Sequence, residues 1–251
     1  MKILLTNDDG IYALGLCALY ETLSLDHDVV IVAPDSEKSA VGHAITLADP
    51  LRVRLIKRSG MPYGWAVNGT PADCVKLALF EIINEPDIVI SGINRGANVG
   101  INVLYSGTVS AATEAAILGV KSIAVSLNSF EETDYCYASY VISQLLPWII
   151  NLNLSKNIAF NINVPALSPK MIKGIKFVKQ DIYPYQQKFR KNIDPRGNIY
   201  YWQDGDMKVN HKDSNVDISA LNQGYITITP IYYDLTCYNT LNIISLSDIN
   251  I

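Results

Sequence analysis

Two adjacent carboxylates, Asp8 and Asp9, stand directly after the apolar run Ile3, Leu4 and Leu5. A short apolar run cut off by Asn7, Asp8, Asp9 and Gly10 reads as a strand buried on both faces that ends in a turn. Asp-Gly also closes β-hairpins, but Leu14, Cys17, Ala18 and the Tyr20/Glu21 pair then recur at helical spacing. The unit is therefore strand, loop, helix, with both carboxylates at the carboxyl end of a parallel strand, where open α/β sheets bind ligands. Two like charges about 4 Å apart repel by roughly 4 kcal/mol at an effective dielectric near 20. Such a pair protonates, diverges into water or shares a cation. Carboxylate oxygens are hard ligands suited to Mg²⁺, Mn²⁺ or Ca²⁺.

Further oxygen donors follow other strands. The apolar segment 28–34 runs into a polar loop carrying Ser39, and the segment 87–91 opens into a glycine-rich loop carrying Asn94 and Asn98. One Ser or Asn after a strand is ordinary turn chemistry. Donors at successive carboxyl ends of one sheet are gathered in space. Ser106, Gly107 and Thr108 lead into an Ala-rich helix spanning 109–118. They offer either an ordinary N-cap or an anion site at the positive helix end. The three glycines between 92 and 100 do not follow the dinucleotide spacing, and no phosphate-loop, HExxH, GxSxG or CxxC pattern is present.

The elements that position these residues alternate. Strands are expected at 3–5, 28–34, 87–91 and 121–126, with helices after the first, over 71–82, over 109–118 and from about 135 to 151. Thr70, Pro71 and Asp73 form a helix start. Residues 52–57 alternate as a half-exposed edge strand. This pattern predicts a doubly wound, mostly parallel α/β sheet over 1–165 that carries the site. A β-rich region follows over 166–251, with a projecting arm at about 181–215 containing Tyr183, Tyr185, Phe189, Tyr200, Tyr201 and Trp202.

The 251 residues are 49% hydrophobic and 18% charged, with net charge −4. That balance argues against a nucleic-acid polymer as partner while leaving room for a small phosphate. Cys17, Cys74, Cys136 and Cys237 are dispersed, and read as buried thiols of a reducing, cytoplasmic compartment. No apolar run reaches membrane-spanning length, and the N-terminus enters a strand directly, so neither a membrane partner nor a signal peptide is expected.

Taken together, Asn7 to Gly10, Ala33-Pro34-Asp35 with Ser39, Gly69 to Val75, Ser91 to Asn94 with Gly96 and Asn98, and Tyr105 to Val109 resemble the SurE family of stationary-phase survival proteins. Asn161 to Pro165 and Gly224 to Pro230 extend the resemblance almost end to end. It implies a metal-dependent phosphatase acting on nucleoside 5′- and 3′-monophosphates and on short polyphosphate. It also implies that Asp8, Asp9, Ser39 and Asn94 hold one divalent cation per subunit, Mg²⁺ or Mn²⁺, and that Asn98, Ser106, Gly107 and Thr108 hold phosphate. The family's arm exchange implies a homodimer or tetramer. In the mechanism this suggests, water acidified by the cation attacks while Asp8 or Asp9 takes its proton. A covalent aspartyl-phosphate lacks the spaced Asp-x-Asp pattern expected for it. Two other classes compete: a non-catalytic nucleotide sensor, and a nucleotide-sugar transferase, for which a second nucleotide-binding domain is missing.

Overall fold

The computed structural model describes residues 1–131, 134–154, 157–183, 186–206, 213–241 and 243. In chain order the elements are β1 (Lys2–Thr6), α1 (Leu14–Leu23), β2 (Asp28–Pro34), β3 (Val53–Arg58), β4 (Met61–Val67), α2 (Pro71–Leu77), β5 (Ile88–Arg95), α3 (Gly107–Ile117), β6 (Ser122–Asn128), α4 (Cys136–Asn151), β7 (Ile158–Pro165), β8 (Ile175–Phe177), β9 (Gln186–Ile193), β10 (Ile199–Asp206), α5 (Asp217–Asn222) and β11 (Ile226–Tyr232). Nine of the strands form one sheet in the order β3-β4-β2-β1-β5-β6-β7-β11-β8. The six from β4 to β7 are mutually parallel. β3 and β11 join them antiparallel.

The alternation of side chains along β1 shows why the sheet is covered twice. Ile3 and Leu5 enter one core with Leu16 and Leu19 of α1 and Ile142 and Leu146 of α4. Leu4 enters the other, with Cys74 and Val75 of α2 and Ala111 and Ala115 of α3. A strand buried on both faces must be apolar throughout. The Ala-rich face of α3 lets that helix approach the sheet closely.

Several sequence expectations change in detail. β5 does not stop at Ser91 but runs on to Arg95, because a register shift between Ser91 and Asn94 lets it resume pairing with β6. β7, not marked out by periodicity, is parallel to β6. The helix after Thr70 closes as a π-helical turn over Ala78–Ile82. The four cysteines are free, but only Cys74 is buried; Cys136 and Cys237 are exposed and Cys17 is intermediate. β9 and β10 pair as a separate antiparallel hairpin. Tyr185, residues 207–212 and the tail from 244 lie outside the described residues. Among those described, no helix is long and apolar enough to cross a membrane.

Two buried polar clusters brace the loops at the carboxyl edge. The Asn98 backbone N–H donates to Asn163 Oδ1 at 2.8 Å, and Asn161 Nδ2 donates to the Asn98 carbonyl at 2.8 Å. Asp217 is fully buried and accepts the Gly100, Asp181 and Ile218 N–H groups. Burial pushes its carboxyl up despite those donors.

The long loop between β2 and β3 is held by α2. Thr70 caps that helix in a reciprocal capping box with Asp73, and Asp73 also accepts the Thr46 hydroxyl at 2.6 Å and the Thr46 N–H at 3.0 Å. Burial raises the Asp73 carboxyl, but the Thr46 and Thr70 donors outweigh it and hold it below its ordinary 3.8. A depressed carboxylate stabilises the fold above its unfolded value, and that stability fades as pH falls through the folded one. Asp73→Ala should therefore cost ~2 kcal/mol at pH 7, with the difference from the parent shrinking below about pH 4. Urea unfolding at pH 7 and pH 3 checks both parts; an undiminished difference at pH 3 would assign the loss to packing.

Candidate active site

The chain leaves β1 toward β2 on one side, while β5 pairs with β1 on the other. This reversal of strand order opens a crevice at the carboxyl edge. The crevice holds about 300 Å³ and is bordered by Asp8, Asp9, Ser39, Asn94, Asn98 and Ser106, together with Glu37, Arg95, Tyr105 and Phe130. Asn7 Nδ2 donates to the Gly10 carbonyl at 2.9 Å and closes the turn that presents the two carboxylates. The Asp8 carbonyl accepts the Lys38 N–H at 2.7 Å, which ties the loop after β1 to the loop after β2.

Asp8 is 4% exposed. Its Oδ1 accepts the Thr108 hydroxyl at 2.5 Å. Burial raises its carboxyl pKa, and the donors from Thr108 only partly offset this. Asp9 is pushed up to about 6, first by burial and then by the charge of Asp8, while the Arg95 N–H donates to its Oδ2 at 3.3 Å. Removing these carboxylates from water is costly unless positive charge compensates.

Gly107 and Thr108 sit behind Asp8. A Cβ on Gly107 would lie 2.8 Å from Asp8 Cβ and 3.0 Å from Asp8 Oδ2, so α3 reaches the carboxylate only because residue 107 has no side chain. Ser106 borders the crevice, and its Oγ caps α3 by accepting the Val109 N–H at 3.1 Å. Asn98 turns its Nδ2 to Ser126 Oγ at 2.9 Å. Ser39 donates to Glu37 Oε1 at 2.6 Å, and Asn94 Nδ2 donates to the Gly96 carbonyl at 2.7 Å.

Glu37, Tyr105 and Phe130 were not among the residues expected from sequence. Glu37 follows the same strand as Ser39 and was legible from its position. Phe130 carried a weaker signal, an aromatic in a polar loop just past a strand end.

The donor set fits a hard divalent cation. Two carboxylates with raised pKa values, a hydroxyl and an amide border one crevice, and turning Asn94 Nδ2 to the backbone leaves its side-chain carbonyl as the available ligand atom. The N-terminal end of α3 adds partial positive charge beside them. The arrangement suits chemistry on a phosphate ester.

The profile described as "Survival protein SurE" matches residues 3–187. A protein of Syntrophus aciditrophicus named 5′-nucleotidase SurE is 52% identical over 244 residues, covering 96% of this chain and 92% of its own. One of the same name from Thermoanaerobacter pseudethanolicus is 46% identical over 252 residues and covers both chains completely. The crystal structure of a SurE protein from Aquifex aeolicus superposes with a TM-score of 0.86 at 37% identity, covering 99% of this chain and 100% of that one. Sequence and fold agree along the whole length: the chain belongs to the SurE family.

Proposed function

We propose that the chain is a phosphoric monoester hydrolase that releases phosphate from nucleoside 5′-monophosphates, using a divalent cation held by Asp8, Asp9, Ser39 and Asn94. The observation that carries this reading is the pair Asp8, buried, and Asp9, half-buried beside it at the switch point, with both carboxyls raised. The name 5′-nucleotidase, shared by the curated relatives, supports it.

When bound, a divalent cation supplies the charge that polarises a phosphoryl oxygen and acidifies water. Thr108 holds Asp8 in one orientation. Asp9 keeps one carboxylate oxygen outside its bond to the Arg95 N–H and accepts the proton of the attacking water. The N-terminal turn of α3 favours the phosphate by its partial charge, and Ser106 and Asn98 border the space it fills. Recognition centred on a terminal phosphate extends the reading to nucleoside 3′-monophosphates and short polyphosphate. The free cysteines suit a cytoplasmic setting.

The reading includes homodimers, or tetramers as the larger assembly, formed through the arm. Phe189 is 62% and Trp202 65% exposed on a hairpin separate from the main sheet. An isolated two-stranded hairpin is marginal in water, and a patch of exposed rings marks an interface.

Three measurements test these statements. Asp9→Ala should lower phosphate release from AMP with Mn²⁺ or Mg²⁺ by at least roughly 10²-fold, with an unchanged far-UV circular dichroism spectrum; full activity of the parent in excess EDTA would sink the metal reading. Thr108→Val should raise the metal concentration giving half-maximal activity by about tenfold, since it frees a ligand from its support; an unaltered metal titration would leave Thr108 without that role. Light scattering should report at least a dimer for the intact protein and a smaller species when residues 186–206 are replaced by a short Gly-Ser linker. A parent that is monomeric at micromolar concentration would remove the arm from assembly.

A further inference from the structure

Phe130 lies just past β6, at the same carboxyl edge as the carboxylates, and is 78% exposed while bordering the crevice. Part of its ring covers the backbone of β5's exit. A Cβ built on Gly96, where φ is +98°, would lie 2.6 Å from Phe130 Cε1 and 2.7 Å from Cζ. The ring is thus seated against Gly96, two residues after Asn94, with most of its surface left to solvent. Tyr105, 54% exposed, borders the same crevice.

We infer that Phe130 is the platform on which the nucleobase of the substrate stacks, an inference that rests on the nucleotidase reading above. The crevice divides by chemistry. Asp8, Asp9, Asn94 and Ser106 supply charge and hydrogen bonds suited to the phosphate end of a nucleotide. The rings of Phe130 and Tyr105 supply flat apolar surface, which the base end needs and phosphate does not. An exposed phenyl ring gains from being covered by another π-system, and base–aromatic stacking reads the face of the base, not its edge. The platform therefore accepts every base, with purines favoured over pyrimidines by their larger overlap.

The test compares AMP with ribose 5-phosphate, which carries the same ester without a base. In Phe130→Ala the kcat/KM for AMP should fall about tenfold relative to that for ribose 5-phosphate, mainly through KM, and Phe130→Trp should restore the ratio. A ratio unchanged in Phe130→Ala, or equal losses on both esters, overturns the platform while leaving the hydrolase reading intact. A change in oligomeric mass without a change in ratio overturns it in favour of a subunit contact. Parent protein that cleaves neither ester with Mn²⁺ or Mg²⁺ overturns the hydrolase reading and the platform with it.

Discussion

A hydroxyl from the first turn of α3 meets a carboxylate from the end of β1 at 2.5 Å, one hundred residues apart in sequence. That contact requires β1 and β5 to be neighbours, α3 to cross the face they share, and residue 107 to be glycine. It also explains how Asp8 tolerates burial. An unpaired carboxylate at 4% exposure would be heavily penalised; a hydroxyl and a helix start in contact with it reduce the penalty without neutralising it. The residual strain is left in the ionisation of the pair, where a cation would relieve it.

The loop bearing Ser39 depends on a second layer of contacts. Its near end is tied to the Asp8 carbonyl through the Lys38 N–H. Its far end is tied to α2 through Thr46 and Asp73, and to α3 through His43, whose Nε2 lies 2.6 Å from Glu114 Oε2. Burial raises the Glu114 carboxyl, but His43 and Lys76 outweigh it and hold it low. Loops of this length without secondary structure are usually functional or disordered. Here buried acceptors on two helices fix the loop, so the outer face of the α2–α3 layer helps place a residue of the crevice.

How much of this could be read from the chain follows the range of the interactions. The apolar runs of β1 and β2, the cap at Thr70 and the carboxylates at a strand end are local, and local chemistry is legible. The exposed hairpin could be read because its aromatics stood among polar neighbours that no core would accept. β7 and the continuation of β5 to Arg95 escaped, since both rest on partner strands supplying backbone pairing where the sequence carries Asn or Gly. The hydrogen bond from Thr108, the asparagine cluster around Asn98 and the seating of Phe130 on Gly96 escaped for a stronger reason. Each joins segments whose adjacency only the finished sheet order determines.

That sheet order also sets the sign of the field a substrate meets. Asp8, Asp9 and Glu37 border the crevice against Arg95, the one cationic side chain among the described residues that line it. Like charges a few ångströms apart repel by several kcal/mol where water is partly excluded, so without added positive charge this edge of the sheet disfavours a phosphate ester. The end of α3 offsets only a fraction of that, about half a unit charge at most. Under the reading proposed above, anion binding and cation binding would be linked by electrostatics: whatever neutralises the carboxylates would raise the affinity for phosphate, and by reciprocity a bound phosphate would raise the affinity for the cation. A crevice of this charge would admit a cation and a phosphate together more readily than either alone.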